Sequence, residues 1–210
     1  MPTPKPPPLR FALIGPGQIA QVFAESLLES GVGSVACVFG RNLARARALA
    51  ERFGGEAVAD LEAAIGHSAV QAVYVATPHS AHAEAVRAAL EAGLPVLCEK
   101  PLSPKPETSR ALFALAAAAE VPLVEGYMYR AHPQIERAQA IVRSGELGAL
   151  RRIESHFGFQ VPYDRQQRLF APELAGGAIL DVGGYPLSLA LLLARAAGIS
   201  NDAAEVPELA

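Results

Sequence analysis

The sequence has 210 residues, of which 51% are hydrophobic and 19% are charged, and its net charge is -3. This composition is typical of a globular protein with a substantial core, and it excludes a disordered chain. The slightly acidic balance gives no reason to expect a nucleic acid or an anionic membrane as a partner.

The cysteines and the two ends of the chain bear on its location. Cys37 and Cys98 each lie in an apolar run, which favours buried thiols in a reducing compartment over a disulfide. Residues 1–8 are rich in proline and lack the apolar stretch of a signal peptide, so we expect a disordered arm there. The longest apolar run of the second half, residues 187–194, is shorter than the roughly 20 residues that span a bilayer. These features predict a cytoplasmic protein.

From residue 9 onwards, short apolar runs alternate with segments of helical periodicity. Asn42 and Asp60 are placed to begin helices, and Gly31 and Gly54 are placed to end them. The predicted strands cover residues 9–14, 34–39, 56–59, 70–76, 95–98 and 122–125, and the longer predicted helices cover residues 19–30, 43–52, 80–91 and 107–119. Strands that alternate with helices of about ten or more residues predict an α/β fold with a doubly wound parallel sheet.

The pattern changes after Tyr129. The predicted elements there are a helix over residues 132–143 closed by Gly145, a strand over residues 149–159, and a helix over residues 181–197. The strand alternates between apolar and polar residues, which is typical of an antiparallel sheet with one solvent-exposed face. We therefore expect a second, partial α+β domain with an open antiparallel sheet over residues 129–210.

The turn Gly15-Pro16-Gly17-Gln18-Ile19-Ala20 connects the first predicted strand to the first predicted helix. In a Gly-x-Gly-x-x-Ala turn the first glycine allows the tight bend, and the second lets the backbone approach a pyrophosphate. The start of the helix then offers free N–H groups and the positive end of its dipole. This context predicts a Rossmann dinucleotide-binding domain over residues 9–128, with Gly15, Gly17, Gln18 and Ile19 at the cofactor. A purely structural turn is the alternative.

The end of the second strand bears on the choice of cofactor. In NAD-binding domains an acidic residue there usually binds the ribose 2′-hydroxyl. This sequence reads Val38-Phe39-Gly40-Arg41-Asn42 instead, without an acid. Arg41 could pair with a 2′-phosphate, with Arg45 one helical turn further on. Gly40 and Arg41 therefore favour NADP, and NAD is the alternative if both arginines are merely solvated.

Four later segments carry a family resemblance. The segment Ala76-Thr77-Pro78-His79-Ser80-Ala81-His82, followed by Cys98-Glu99-Lys100-Pro101-Leu102, resembles the Gfo/Idh/MocA-type oxidoreductases. The run from Gly176 to Pro186 looks like the family's second signature. Its tyrosine form is similar to the branch of dihydrodiol dehydrogenase, D-xylose dehydrogenase and glucose–fructose oxidoreductase, and residues 126–133 resemble that branch as well.

The resemblance implies a catalytic pair, Lys100 and Tyr185, with Asp181 positioning the substrate or tuning the others. Hydride transfer at a carbon that bears oxygen needs one group to hold the oxygen and another to move its proton. Asp181 and Tyr185 lie at positions i and i+4, so a continuous α-helix would present both on one face.

On the cofactor side, the resemblance implies the further residues Ala76, Thr77, Pro78, His82, Glu99 and Arg130. His79 and His82 are close in sequence, but no cluster of Cys, Asp or Glu surrounds them. We therefore expect no metal site.

The resemblance also implies that members of the family continue past the point where this chain ends, with the strands that complete the second sheet. We therefore expect a C-terminally truncated second domain, or a partner that covers its apolar face, which leaves a homo-oligomer open. The leading hypothesis is an NADP(H)-dependent oxidoreductase that acts on CH–OH groups of a sugar, a polyol or a related hydroxyl or carbonyl compound. The alternative is an NAD(P)-binding but catalytically silent protein with a regulatory or interaction role.

Overall fold

The structure is a computed structural model that describes residues 7–199. The chain divides into two compact units. The first contains the residues up to Gly126 together with Pro172–Ala175, and the second contains Tyr127–Ala171 and the residues from Gly176 onwards. Most of the predicted proline-rich arm, and the chain after Ile199, lie outside the described residues.

The first unit is a six-stranded parallel sheet with helices on both faces, in the order β3-β2-β1-β4-β5-β6. Its strands are β1 (Leu9–Ile14), β2 (Gly33–Phe39), β3 (Glu56–Val58), β4 (Ala72–Val75), β5 (Val96–Cys98) and β6 (Leu123–Glu125). Its helices are α1 (Gln18–Ser30), α2 (Leu43–Phe53), α3 (Leu61–Ile65), α4 (His82–Glu91) and α5 (Pro106–Ala118). The doubly wound sheet predicted from the sequence is confirmed.

The helix ends follow from local chemistry. The Asn42 side chain accepts a hydrogen bond from the Arg45 N–H at 3.1 Å, and Asp60 accepts one from the Ala63 N–H at 2.7 Å. Each bond satisfies a donor that the first helical turn leaves without a partner. Gly31 ends α1 in the left-handed conformation, with a φ of 62°, which only glycine adopts without strain.

Both faces of the sheet are buried, because neighbouring residues of a strand point to opposite faces. In β4, Val73 and Val75 belong to the core against α3, α4 and α5, whereas Tyr74 belongs to the core against α1 and α2. This burial on both sides explains why the strands are almost continuously apolar.

All six strands end in register: Phe39 pairs with Val58 at the end of β3, and the other five ends pair as follows. Ile14 pairs with Phe39 and Val75, Val75 pairs with Cys98, and Cys98 pairs with Glu125. The residues that follow these ends are Gly15, Gly40, Ala76, Glu99 and Gly126. These residues all lie at the carboxyl edge of the sheet, where open α/β folds bind their ligands.

The regular secondary structure of the second unit is helical among its described residues. It contains a 3₁₀ turn (Met128–Ala131), α6 (Pro133–Ser144), a π-helical turn (Ile179–Gly183) and α7 (Gly184–Ala196). As predicted, Gly145 ends α6 in the left-handed conformation.

Two predictions for this unit are wrong. Residues 149–159 do not form a strand, and the described part of the unit contains no strand that could pair with them. An alternating sequence becomes a strand only where a neighbour completes its backbone hydrogen bonds. The α-helix predicted to begin at Asp181 begins at Gly184 instead, because the wider π-helical turn precedes it.

By length and composition alone, the stretch Pro172–Ala196 is apolar enough to cross a membrane, with a mean hydropathy of 1.6. It is weak support for a membrane span, because α7 itself has 13 residues and a bilayer requires roughly 20.

Candidate functional site

The turn between β1 and α1 lies directly on the end of β4. Gly15 has a φ of 105°, and a Cβ there would lie 2.7 Å from the carbonyl oxygen of Ala76 and 2.9 Å from the nitrogen of Thr77. The Gly15 N–H donates to the carbonyl oxygen of Phe39 at 2.8 Å. Glycine is therefore required at position 15 for two reasons: its positive φ, and the backbone after β4, which leaves no space for a Cβ.

Gly17 is a glycine for a different reason. Its φ of -86° is one that any residue adopts, and a Cβ there would meet only the Ala76 carbonyl oxygen, at 3.9 Å. The protein itself therefore does not need glycine at this position. Gly17 precedes α1, which has neither a side-chain cap nor an acidic residue in its first turn. Open space beside uncapped N–H groups fits the pyrophosphate of a dinucleotide.

Thr77 supplies a second indication of a ligand. Its Oγ1 atom is buried and, among the described residues, has no hydrogen-bond partner. A buried hydroxyl without a partner costs about 1–3 kcal/mol. Thr77 follows β4 at the carboxyl edge of the sheet, so a polar group of the cofactor could satisfy it there.

Arg41 and Arg45 lie where β2 passes into α2, and both side chains are exposed. Within residues 7–199, Arg41 forms no ion pair. The Asn42 cap holds the start of α2 next to Arg41. A guanidinium in this position could pair with a phosphate.

The segment that carries Lys100 is held by buried polar side chains on both of its sides. Before Lys100, the Glu99 carboxylate accepts a hydrogen bond from the Tyr74 hydroxyl at 2.7 Å. Tyr74 is buried and stacks on Phe23 with ring centroids 3.9 Å apart. Burial, followed by the nearby Glu99 carboxylate, raises the pKa of the Tyr74 phenol, so the phenol stays protonated and donates.

After Lys100, a cis peptide bond leads to Pro101, whose carbonyl oxygen lies 2.8 Å from Nδ1 of His82. The next residue, Leu102, donates its N–H to the Glu125 carboxylate at 2.8 Å. Polar anchors therefore precede and follow Lys100, and they fix the backbone from which its side chain extends.

His82 connects the segments that follow β4 and β5. It is fully buried, with Nε2 lying 2.9 Å from the carbonyl oxygen of Thr77 and Nδ1 facing Pro101. Both ring nitrogens face protein carbonyls, and the neutral ring can donate its single N–H to one of them, so the structure gives His82 a role in holding these segments. Burial lowers the pKa of His82, because it disfavours the charged ring more than the two carbonyls and the carboxylates of Glu99 and Glu125 favour it.

Sequence reasoning missed Tyr74 and Glu125. Each is a polar side chain in an otherwise apolar strand, near the carboxyl end of the buried strand β4 or at the end of the edge strand β6. A polar residue in an apolar strand is the sequence feature that could have indicated them, since a buried polar group requires a hydrogen-bond partner.

Cys37 and Cys98 are free and buried. Burial, followed by the negative charge of Glu56, raises the pKa of the Cys37 thiol to about 11. Burial also raises the pKa of Cys98. Neither thiol is therefore suited to act as a nucleophile.

In the second unit, Tyr185 lies among aromatic rings in the first turn of α7. The ring centroids of Phe157, Tyr127 and Tyr129 lie 5.1, 5.4 and 5.8 Å from that of Tyr185. The preceding residue, Gly184, has no room for a Cβ because the Tyr127 hydroxyl occupies that space. The cluster therefore holds the start of α7, and with it Tyr185, in place.

Asp181 lies in the π-helical turn and is 7% exposed. Its carboxylate accepts a hydrogen bond from Arg168 at 3.3 Å. π-Helical turns are frequent at functional sites. Arg130, predicted for the cofactor side, is exposed in the turn Met128–Ala131.

The structure thus gathers most of the predicted cofactor residues of the first unit at the carboxyl edge of its sheet. These are Gly15, Gly17, Gly40, Arg41, Ala76, Thr77, Pro78, His82, Glu99 and, beside them, Lys100, with Gln18 and Ile19 exposed at the start of α1. Tyr185, Asp181 and Arg130 belong to the second unit. Among residues 7–199, no group of three His, Cys, Asp or Glu side chains is arranged to hold a metal ion.

Comparison with known proteins identifies the family. The Gfo/Idh/MocA oxidoreductase family, with its NAD-binding Rossmann fold, matches residues 9–127, and the C-terminal domain of the same family matches residues 135–203. The chain belongs to the Gfo/Idh/MocA oxidoreductase family.

Relatives with named activities support this assignment. The chain is 37% identical over 185 residues to D-xylose 1-dehydrogenase (NADP(+)) 2 of Haloferax volcanii, which covers 88% of this chain and 57% of the relative. It is similar to the crystal structure of aldose–aldose oxidoreductase from Caulobacter crescentus complexed with glycerol (TM-score 0.82, 27% identity, 90% of this chain and 58% of that one). It is also similar to a 3-ketoreductase from Actinomadura kijaniata in complex with NADP and TDP-benzene (TM-score 0.76, 32% identity, 89% and 57%). The chain spans somewhat more than half the length of these relatives.

The buried state of His82 predicts a specific loss of stability in acid. Because the pKa of His82 is lowered on folding, its protonation favours the unfolded chain. The contribution of the neutral ring is present above the unfolded pKa of about 6.5 and is lost as the pH falls below it, by up to about 1.4 kcal/mol per pH unit. Urea unfolding between pH 8 and pH 5 should show a steeper acid loss for the wild type than for His82→Asn.

The exposed His156 supplies the control, since His156→Asn should keep the acid slope of the wild type. Equal acid slopes for the wild type and His82→Asn would contradict this role of His82.

Proposed function

We propose that this chain belongs to an NADP(H)-dependent oxidoreductase that transfers a hydride between the nicotinamide and a CH–OH or carbonyl carbon of a sugar, a polyol or a related compound. The observation that carries the proposal is the carboxyl edge of the sheet. The turn at Gly15, the Thr77 hydroxyl and the anchored segment of Lys100 all follow strands that end in one register, and in the described part of the chain the Thr77 hydroxyl has no partner. The names of the relatives, a xylose dehydrogenase, an aldose oxidoreductase and a ketoreductase, support a carbohydrate-like substrate.

The proposed cofactor is NADP, with NAD as the alternative. The N–H groups at Gly17 and the start of α1 would hold the pyrophosphate, and the Thr77 hydroxyl would meet a polar atom of the cofactor. Arg41 would pair with the 2′-phosphate, since no acidic residue follows β2 to bind a ribose 2′-hydroxyl instead. Two of the relatives carry NADP in their names or in their solved complexes.

When bound, the cofactor supplies or accepts the hydride. Lys100 and Tyr185 are the proposed catalytic residues, one holding the substrate oxygen through a hydrogen bond and the other moving its proton. Asp181, paired with Arg168, is proposed to position the substrate. Glu99 acts through the segment it anchors, because its carboxylate is bonded to Tyr74. The further proposed cofactor residues are Gln18, Ile19, Gly40, Ala76, Pro78 and Arg130.

We also propose a cytoplasmic location, in keeping with two buried free thiols. The proposed partner is a small carbohydrate-like molecule rather than a nucleic acid or a membrane.

Replacing Arg41 tests the choice of cofactor. Arg41→Ala should weaken NADPH binding about 10- to 100-fold and change NADH binding little, because a charge-assisted pair with the 2′-phosphate is lost. Fluorescence titration with each nucleotide gives both dissociation constants. Arg47→Ala removes an exposed arginine elsewhere on α2 and serves as the control. Equal weakening of both nucleotides by Arg41→Ala would refute the pairing.

Replacing the catalytic candidates tests turnover. Lys100→Ala and Tyr185→Phe should each lower kcat about 10²- to 10⁴-fold with NADPH affinity nearly unchanged, as expected when a group that moves a proton is removed. The assay follows NADPH absorbance with a panel of aldoses and ketoses. Full activity of Lys100→Ala would refute its role. Tight NADPH binding without turnover on any substrate would instead favour the catalytically silent protein.

A further inference from the structure

Gly40 owes its identity to one neighbouring ring. A Cβ on Gly40 would overlap the Cδ atom of Pro16 and lie 2.5 Å from its Cγ atom. The next nearest atom, the Pro16 backbone nitrogen, would be 3.6 Å away, which is ordinary van der Waals contact. Gly40 does not have a positive φ, so its backbone conformation does not require glycine. The proline ring alone excludes a side chain at this position.

The two residues lie on backbone that cannot easily move. Ile14 and Phe39 pair across β1 and β2, and the Gly15 N–H donates to the Phe39 carbonyl oxygen at 2.8 Å. Pro16 is therefore preceded by a glycine packed on β4, and its own ring fixes its φ. A side chain at Gly40 would displace either the turn or the segment that follows β2.

The segment after Gly40 carries the arginine proposed for cofactor recognition. Arg41 is the next residue, and the Asn42 cap then fixes the first turn of α2. Gly40 thus packs against Pro16 of the pyrophosphate turn and directly precedes Arg41, the arginine proposed for the 2′-phosphate. The turn and Arg41 are proposed to bind the same dinucleotide. A charge-assisted hydrogen bond requires a donor–acceptor distance of about 2.7–2.9 Å, so the spacing between these places is critical.

We propose that the contact between the Pro16 ring and the Gly40 backbone sets the position of Arg41 relative to the pyrophosphate turn, and thereby sets the preference for NADP over NAD. Gly40 is then a positioning residue that acts through Arg41. The inference rests on the proposed cofactor function, because it assumes that the turn and Arg41 bind the same molecule.

The test is a suppressor experiment with Gly40→Ala, Pro16→Ala and the double variant. NADPH and NADH dissociation constants are measured by fluorescence titration. Gly40→Ala should weaken NADPH binding about tenfold or more and NADH binding distinctly less, so that selectivity falls. In the double variant the obstructing ring atoms are absent. It should therefore bind NADPH as tightly as Pro16→Ala alone, and more tightly than Gly40→Ala.

Gly55→Ala is the matched control. Gly55 directly precedes β3, away from the carboxyl edge of the sheet. A Cβ added there would lie 2.8 Å from a methyl group of Val35. It should lower the melting temperature and leave both dissociation constants unchanged.

Two results would overturn the proposal. The first is that Gly40→Ala weakens the binding of NADPH and of NADH equally. The second is that the double variant binds NADPH no more tightly than Gly40→Ala does. If Gly40→Ala does not fold, Pro16→Ala alone decides, because loss of the ring should lower the NADPH-to-NADH selectivity and an unchanged ratio would refute the proposal. A wild-type chain that binds neither nucleotide would refute the proposed function itself, a result distinct from all of these.

Discussion

The close approach of Gly15 to the Ala76 carbonyl is the constraint on which the site depends. Any side chain at Gly15 would collide with the backbone that follows β4. Because this contact holds the turn against the neighbouring strand, α1 begins directly over the boundary between β1 and β4. That boundary is where the strand order reverses direction, the switch point at which open α/β sheets bind ligands. The uncapped start of α1 and the Thr77 hydroxyl, which has no hydrogen-bond partner within residues 7–199, then lie at the same edge of the sheet.

The sheet also holds polar anchors that a purely structural core would not need. Tyr74 and His82 are buried. Tyr74 donates to Glu99, and a ring nitrogen of His82 lies within hydrogen-bond distance of the Pro101 carbonyl oxygen, so both neighbours of Lys100 are contacted. Buried polar groups are costly unless they are satisfied, and a satisfied network makes the local geometry unique. The effect here is to fix one short segment at the carboxyl edge, as the catalytic role proposed for Lys100 requires.

Much of the first unit could be predicted from the sequence, because its signals are local. Asn42, Asp60 and Gly31 act within one helical turn, and the apolar runs reveal strands buried on both faces. The bonds of Tyr74 and His82 could not be predicted, since each joins residues that only the folded sheet brings together. The strand predicted over residues 149–159 failed for a related reason. Alternation supplies the faces of a strand, but the backbone hydrogen bonds must come from another segment, and the described part of the second unit has none to offer.

The central claim is that a dinucleotide binds at the carboxyl edge of this sheet. Hydrogen exchange of the wild-type chain with and without NADPH tests it most directly. We predict slower exchange on NADPH binding at the amides of Gly17, Gln18 and Ile19 and at Thr77, with the amides of the opposite edge, around Gly55, unaffected. Exchange rates at the turn and at Thr77 that stay the same under saturating NADPH would contradict this claim.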